Sequence, residues 1–180
     1  VGGIFRLEAG KRPELWIEAF EIARSKVPQL KGVIIGGGKL EESVRNWVKQ
    51  KDLEDCLIVV GEVENVSGWL EEMDIFLLTS STEGLPNVII EAQGFGVPVV
   101  CTDAGGVSEI VSEGLTGNIV DSSEARIIGD SLADLISGNR IPKMREEAFK
   151  ESRRRFSVHQ MIAKTRETYS RHLSLVGVEE

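Results

Sequence analysis

Cysteine is scarce in this chain of 180 residues, with only Cys56 and Cys101, and both sit inside apolar runs. No C-x-x-C pair or Cys/His cluster accompanies them, which argues against a disulfide scaffold and against a structural metal. Two small buried hydrophobes are the expectation, with no metal site. Positive charge is also short, 21 Lys and Arg against 29 Asp and Glu for a formal net charge of −8. Nucleic-acid binders need a basic surface, so that class is excluded, whereas a small phosphorylated ligand needs only a few local donors. No apolar run approaches the ~20 residues of a membrane span, and no leader precedes Val1, so a reducing, cytoplasmic setting is expected. The two histidines, His159 and His172, fall late in the chain where a helix is expected, and a solvated face suits them better than catalysis.

What is present is a regular alternation of apolar strands and amphipathic helices. Strands are expected at Val1-Gly2-Gly3-Ile4-Phe5, Val33-Ile34-Ile35, Cys56-Leu57-Ile58-Val59-Val60, Asp74 to Thr79, Pro98 to Thr102 and Gly117-Asn118-Ile119-Val120. Continuous apolar runs of this length suit parallel strands buried on both faces. Between them, Pro13 opens a helix whose Leu15, Trp16, Ala19, Phe20 and Ala23 recur at helical spacing, so Trp16 and Phe20 are core residues. A second helix spans 40–51 with Leu40, Val44, Trp47 and Val48 inward, and a short one spans 66–73. Further helices are expected after Asp103-Ala104-Gly105-Gly106, after a Ser122-Ser123 cap, and after Pro142. Gly138-Asn139 should end the second of these. The last begins at a capping box of Ser157 and Gln160, with Phe156 and Met161 as a hydrophobic staple.

Strand–helix alternation with short turns predicts a doubly wound, Rossmann-like parallel α/β sheet in one domain over 1–180, with 155–175 as a C-terminal helix region. The first residues read as core in mid-strand, which predicts a fragment cut at a domain boundary. Ligands of such sheets bind outside the carboxyl ends of the strands. The segments 2–11, 36–38, 61–63 and 80–91 should therefore meet in one crevice.

The last of these segments is the most informative. Asp74-Ile75-Phe76-Leu77-Leu78-Thr79 leads through Ser80-Ser81-Thr82-Glu83-Gly84-Leu85-Pro86 into a helix at Asn87-Val88-Ile89-Ile90-Glu91-Ala92. Pro86 suits the first helical position, where its missing N–H costs nothing. Backbone amides from Gly84 to Val88 would then be helix-start donors free to meet an anion. Glu83 and Glu91 bracket this positive end. Two acids beside free amides could hold a molecule carrying both hydroxyls and phosphates, such as a nucleotide sugar.

Glu83 and Glu91, with seven residues between them, match the E-x7-E motif of retaining glycosyltransferases of the GT-B fold. Together with the flanking text through Gly96-Val97-Pro98-Val99-Val100, the stretch resembles the C-terminal half of glycosyltransferase family 4, and the likeness runs from Val1 to about Tyr169. The resemblance implies one half of a GT-B fold, with the N-terminal acceptor domain absent from this chain. It also implies a donor-binding role in transferring a sugar from a nucleoside diphosphate to a glycan or lipid-linked acceptor. No divalent metal or other cofactor is implied.

Residue by residue, the resemblance implies that Arg6 and Lys11 hold the diphosphate and, with Glu83, act in catalysis. A leaving diphosphate gains negative charge as the glycosidic bond breaks, so cations and amides must already face it. Asn87 and Val88 would lend amides, and Gly2 and Gly3 would keep side chains out of the way. Glu91 would accept the two ribose hydroxyls, a task suited to a carboxylate. Glu83, with Gly84 and Leu85 beside it, would face the transferred sugar. Gly37, at the end of the second strand, permits close backbone approach, and Gly61 and Val63 would lie near the base. Many relatives carry E-G-F-G where this chain has Glu83-Gly84-Leu85-Pro86, and the proline removes an amide. Two other readings remain: a GT-B epimerase or phosphorylase domain, and a non-catalytic nucleotide-binding α/β module. On the glycosyltransferase reading the isolated chain should bind donor and transfer little.

Overall fold

A computed structural model describes residues 1–176, with side chains as far as His172. Six strands form one sheet: β1 (Gly2–Ile4), β2 (Gly32–Ile35), β3 (Leu57–Gly61), β4 (Phe76–Leu78), β5 (Val99–Thr102) and β6 (Gly117–Val120). Their order is β3-β2-β1-β4-β5-β6, and every pairing is parallel. The chain moves outward one way from β1 to β3 and the other way from β4 to β6. Direction reverses between β1 and β4, so a crevice opens outside their carboxyl ends.

The helices are α1 (Pro13–Lys26), α2 (Glu41–Gln50), α3 (Ser67–Glu71), α4 (Asn87–Gly94), α5 (Ala125–Ser137), α6 (Ile141–Phe156) and α7 (Val158–Val176). Right-handed crossovers put α1 and α2 on one face of the sheet and α4 on the other. α1 packs on α2 and α5, while α4 packs on α6. Trp16 and Phe20 of α1 are fully buried and stack with centroids 5.7 Å apart. Burying side chains of this size stabilises the fold by roughly 2–3 kcal/mol each. Trp16 also donates its Nε1–H to the Leu77 carbonyl at 2.9 Å, tying α1 to β4. The central strands β4 and β5 are wholly buried, whereas edge strand β3 exposes Ile58.

Local departures from the sequence reading have physical causes. Pro86 stands one residue before α4, in extended conformation, and Asn87 is the first helical residue. After β5 the expected helix is only a 3₁₀ turn, Gly105–Glu109. Its opening Gly105 has φ +57, and Gly106 donates its amide to the Gly84 carbonyl rather than starting an α-turn. α5 begins at Ala125, so neither serine caps it: Ser122 Oγ accepts from the Glu124 amide and Ser123 Oγ accepts from Arg12. At the other end of α5 the left-handed residue is Asn139, not Gly138. Only half of the capping box forms at α7 among the described residues, from the Gln160 amide to Ser157 Oγ at 3.3 Å, and Met161 is exposed instead of stapling Phe156.

Candidate functional site

The loop after β1 is stitched to the end of β4. Thr79 Oγ1 lies 3.1 Å from the carbonyls of both Lys11 and Arg12. The amide and hydroxyl of Ser81 both donate to the Gly10 carbonyl. Arg12, in the left-handed region at φ 49, turns its guanidinium back to the carbonyls of Thr79 at 2.6 Å and Ser80 at 2.8 Å, and to Ser123 Oγ at 2.7 Å. Its partial burial lowers its pKa, since desolvation disfavours the charged form. Thr102 at the end of β5 donates to the same Ser80 carbonyl at 2.6 Å.

On this frame Lys11 Nζ meets Glu83 Oε1 at 2.6 Å, and Ser80 Oγ donates to the same oxygen at 2.5 Å. Glu83 is little exposed, and its backbone is braced from behind, where a Cβ on Gly105 would stand 1.8 Å from the Glu83 carbonyl oxygen. The paired residues line a hollow of about 290 Å³ with Arg6, Leu85, Pro86, Asn87 and Val88. An adjoining hollow of about 390 Å³ shares Ile4, Phe5 and Arg6 and adds Glu8, Gly36 to Gly38 and Glu62. Together they form one crevice over the carboxyl end of β1.

The crevice can hold an anion at one end and hydroxyls at the other. Asn87 and Val88 start α4, so their amides have no acceptor inside the helix. Arg6 is largely exposed and only loosely paired with Glu8 at 3.4 Å, a contact weak enough to be exchanged for a ligand. Glu91 is exposed one turn beyond Asn87 on the same face of α4, and its carboxylate has no partner among the described residues. Among the described residues no group of three or more His, Cys, Asp or Glu could hold a metal ion. Other hollows lie at the amino end of the sheet, beside Trp69 and Met73, and between α1 and α2. In the second of these Glu14 and Glu18 put negative charge at the rim, and Arg12 is already spent on the β4 carbonyls.

The structure thus brings Arg6, Lys11, Gly37, Glu83, Leu85, Asn87 and Val88 to one crevice, with Gly84 and Glu91 at its border. Gly2 and Gly3 do not line it. They are buried within β1, where a Cβ would stand 2.2 Å from Met73 and 2.6 Å from Trp16 Nε1 respectively. Gly36 and Gly38 are likewise structural, since a Cβ on either would strike the carbonyl oxygen of Phe5 or Leu7. Gly61 has φ +92 and is buried beside Glu41 and Arg45, and Val63 packs on the core. Sequence reasoning missed Arg12, Ser80 and Thr102; the side-chain bonds of Arg12 and Thr102 reach across the fold, whereas Ser80 Oγ bonds Glu83 three residues on. Only the spacing of Ser80, three residues before Glu83, was available as a local signal.

A family model described as "Glycosyl transferases group 1" matches residues 4–155. The chain belongs to this family. Among curated relatives, the Vi polysaccharide biosynthesis protein VipC/TviE of Salmonella typhi is 38% identical over 124 residues, covering 69% of this chain and 22% of that protein. The amylovoran biosynthesis glycosyltransferase AmsK of Erwinia amylovora is 32% identical over 143 residues, covering 75% of this chain and 35% of its own. The chain therefore spans between about a fifth and about a third of these relatives.

Among solved structures, the C-terminal domain of the group 1 glycosyl transferase LpcC from Francisella tularensis superposes with a TM-score of 0.78 at 25% identity, covering 87% of this chain and 86% of that one. The pneumococcal O-GlcNAc transferase GtfA, in complex with UDP and GlcNAc, gives a TM-score of 0.87 at 22% identity, covering 96% of this chain and 35% of that one. At that identity the match speaks to fold alone. The six-stranded parallel domain matches the C-terminal half of GT-B glycosyltransferases in fold. No helix among the described residues is long and apolar enough to cross a membrane.

Proposed function

We propose that this domain binds the nucleoside diphosphate sugar donor of a retaining hexosyltransferase that builds a polysaccharide. The observation that carries the reading is the convergence of Lys11, Glu83 and the α4 amides on one crevice at the β1/β4 switch point. The diphosphate lies against Arg6, Lys11 and the amides of Asn87 and Val88, which neutralise charge as it leaves. Glu91 accepts the ribose hydroxyls, and Glu83 faces the sugar. Pro86 offers no amide, so sugar recognition depends on Glu83 and its neighbours. The base lies toward Gly37, Gly61 and Val63.

No divalent metal takes part on this reading, because cations and amides already surround the diphosphate. The acceptor, a glycan or lipid-linked sugar, is held by an N-terminal domain on the cytoplasmic side of a membrane. Family membership supports the transferase reading over a non-catalytic module. Several relatives are named for polysaccharide biosynthesis, which supports a growing glycan as acceptor.

Calorimetric titration of UDP, GDP and ADP, free and sugar-linked and with EDTA present, tests the proposal. Saturable binding of one nucleotide and its conjugate is expected. No binding up to ~1 mM, a Kd at which only about 4 kcal/mol of binding energy is available, overturns it. So does binding only with magnesium. Joined to an N-terminal domain, the protein should transfer the sugar with its anomeric configuration kept, as read by NMR of the product.

A further inference from the structure

Glu83 is held at one oxygen only. Lys11 Nζ and Ser80 Oγ both bond Oε1, and no protein group bonds Oε2 among the described residues. Ser80 itself is fully buried and cannot swing away. Its carbonyl is pinned by Arg12 Nη2 and Thr102 Oγ1, and the Thr79 carbonyl before it by Arg12 Nε. Because Thr79 Oγ1 bonds the backbone of Lys11 and Arg12, both groups on Oε1 belong to one braced unit. A carboxylate bonded this way has one oxygen fixed, while the other stays accessible on a residue that lines the crevice. Its rotation is removed before any ligand arrives, which is the condition for a preorganised contact.

We infer that Ser80 is the positioning residue for Glu83, presenting Oε2 to the hexose of a sugar nucleotide while taking no part in holding the nucleotide. The inference rests on the donor-binding reading above. Lys11 cannot serve alone. Its Nζ sits on a flexible stem and is also needed by the diphosphate, whereas the Ser80 hydroxyl is rigid and has no other acceptor. A purely structural role for Ser80 would weaken all ligands alike. A positioning role weakens only the contact made through Glu83.

The experiment is a paired titration of this chain with UDP and UDP-glucose, and with GDP and GDP-mannose, in wild type, Ser80→Ala and Ser80→Thr. The quantity read is the ratio of conjugate affinity to bare-diphosphate affinity. Ser80→Ala should lower that ratio about three- to tenfold, the worth of one hydrogen bond, with diphosphate affinity within about twofold of wild type. Ser80→Thr, which keeps the hydroxyl, should restore most of the ratio. An unchanged ratio in Ser80→Ala overturns the inference, and so does an equal loss of both ligands. A wild type that binds none of the four overturns the donor-binding reading and this inference with it. Wild-type binding with an unmoved ratio leaves that reading standing and removes only the role of Ser80.

Discussion

Lys11 Nζ stands 2.6 Å from Glu83 Oε1, joining the loop after β1 to the loop before α4 across 72 positions of sequence. The side chains are 28% and 10% exposed, so neither charge is fully solvated. Removing the lysine leaves a mostly enclosed carboxylate with Ser80 as its one remaining donor. Lys11→Met should therefore cost ~1–3 kcal/mol of unfolding free energy. In a double-mutant cycle with Glu83→Gln, the coupling should be about 1–2 kcal/mol by denaturant unfolding. Additive losses would mean that the contact contributes nothing in solution.

The two candidate acids should separate by ligand. Glu91→Gln exchanges one acceptor oxygen for a donor, and hydrogen bonds to a charged acceptor are worth ~1.5–3 kcal/mol, so bare nucleoside diphosphate affinity should drop about tenfold or more. Glu83→Gln should barely change that affinity and should act on turnover once the N-terminal domain is present. Equal losses of nucleotide binding in the two folded variants would refute this division.

Two glycines of the same loop pair should behave oppositely. At Gly105, φ is +57 and an added Cβ would stand 1.8 Å from the Glu83 carbonyl oxygen. Gly105→Ala should destabilise the fold by at least ~2 kcal/mol and displace Glu83. At Gly84 nothing lies within 4 Å of an added Cβ. Gly84→Ala should leave stability within ~0.5 kcal/mol of wild type, and any loss of nucleotide-sugar affinity then reports ligand proximity. Thermal melts of the two variants check the contrast.

Burial, and then the nearby Glu113 and Asp103, push the Cys101 thiol well above its ordinary range. A folded-state pKa above the unfolded one means stability that is full below about pH 8.5 and lost as pH rises further. By pH 10 the loss from this group should be about 2 kcal/mol, and it should be absent in Cys101→Ala. A thiol reagent should modify neither Cys56 nor Cys101 in the native chain, because both are buried. Native-state reaction at Cys101 would contradict this assignment.

The β4–α4 unit was legible because its signals are local: an apolar strand, a polar turn, a proline and a helix start within 20 residues of one another. The buried cysteines followed from the apolar runs that hold them, and Trp16 and Phe20 from helical periodicity. What sequence could not convey was the purpose of each glycine. Gly3 looks like a ligand-side glycine until Trp16 arrives above it, and Gly36 until the Phe5 carbonyl passes at its Cα. Arg12 was indistinguishable from Arg6 and Lys11 as a basic loop residue. Its structural role appears only when the end of β4 lies beside it, because its partners are backbone carbonyls 67 and 68 positions away.

The central claim is that the crevice outside β1 and β4 takes a nucleoside diphosphate. It is tested most directly by following backbone amide chemical shifts of the chain as UDP, GDP or ADP is added. The account predicts perturbations that cluster at residues 5–11, 36–38, 61–63 and 83–91, with the amides of Asn87 and Val88 among the largest. Perturbations centred instead on Trp69, Lys31 and Met73 at the amino end of the sheet, or on Glu14, Glu18 and Trp47 between α1 and α2, would contradict it.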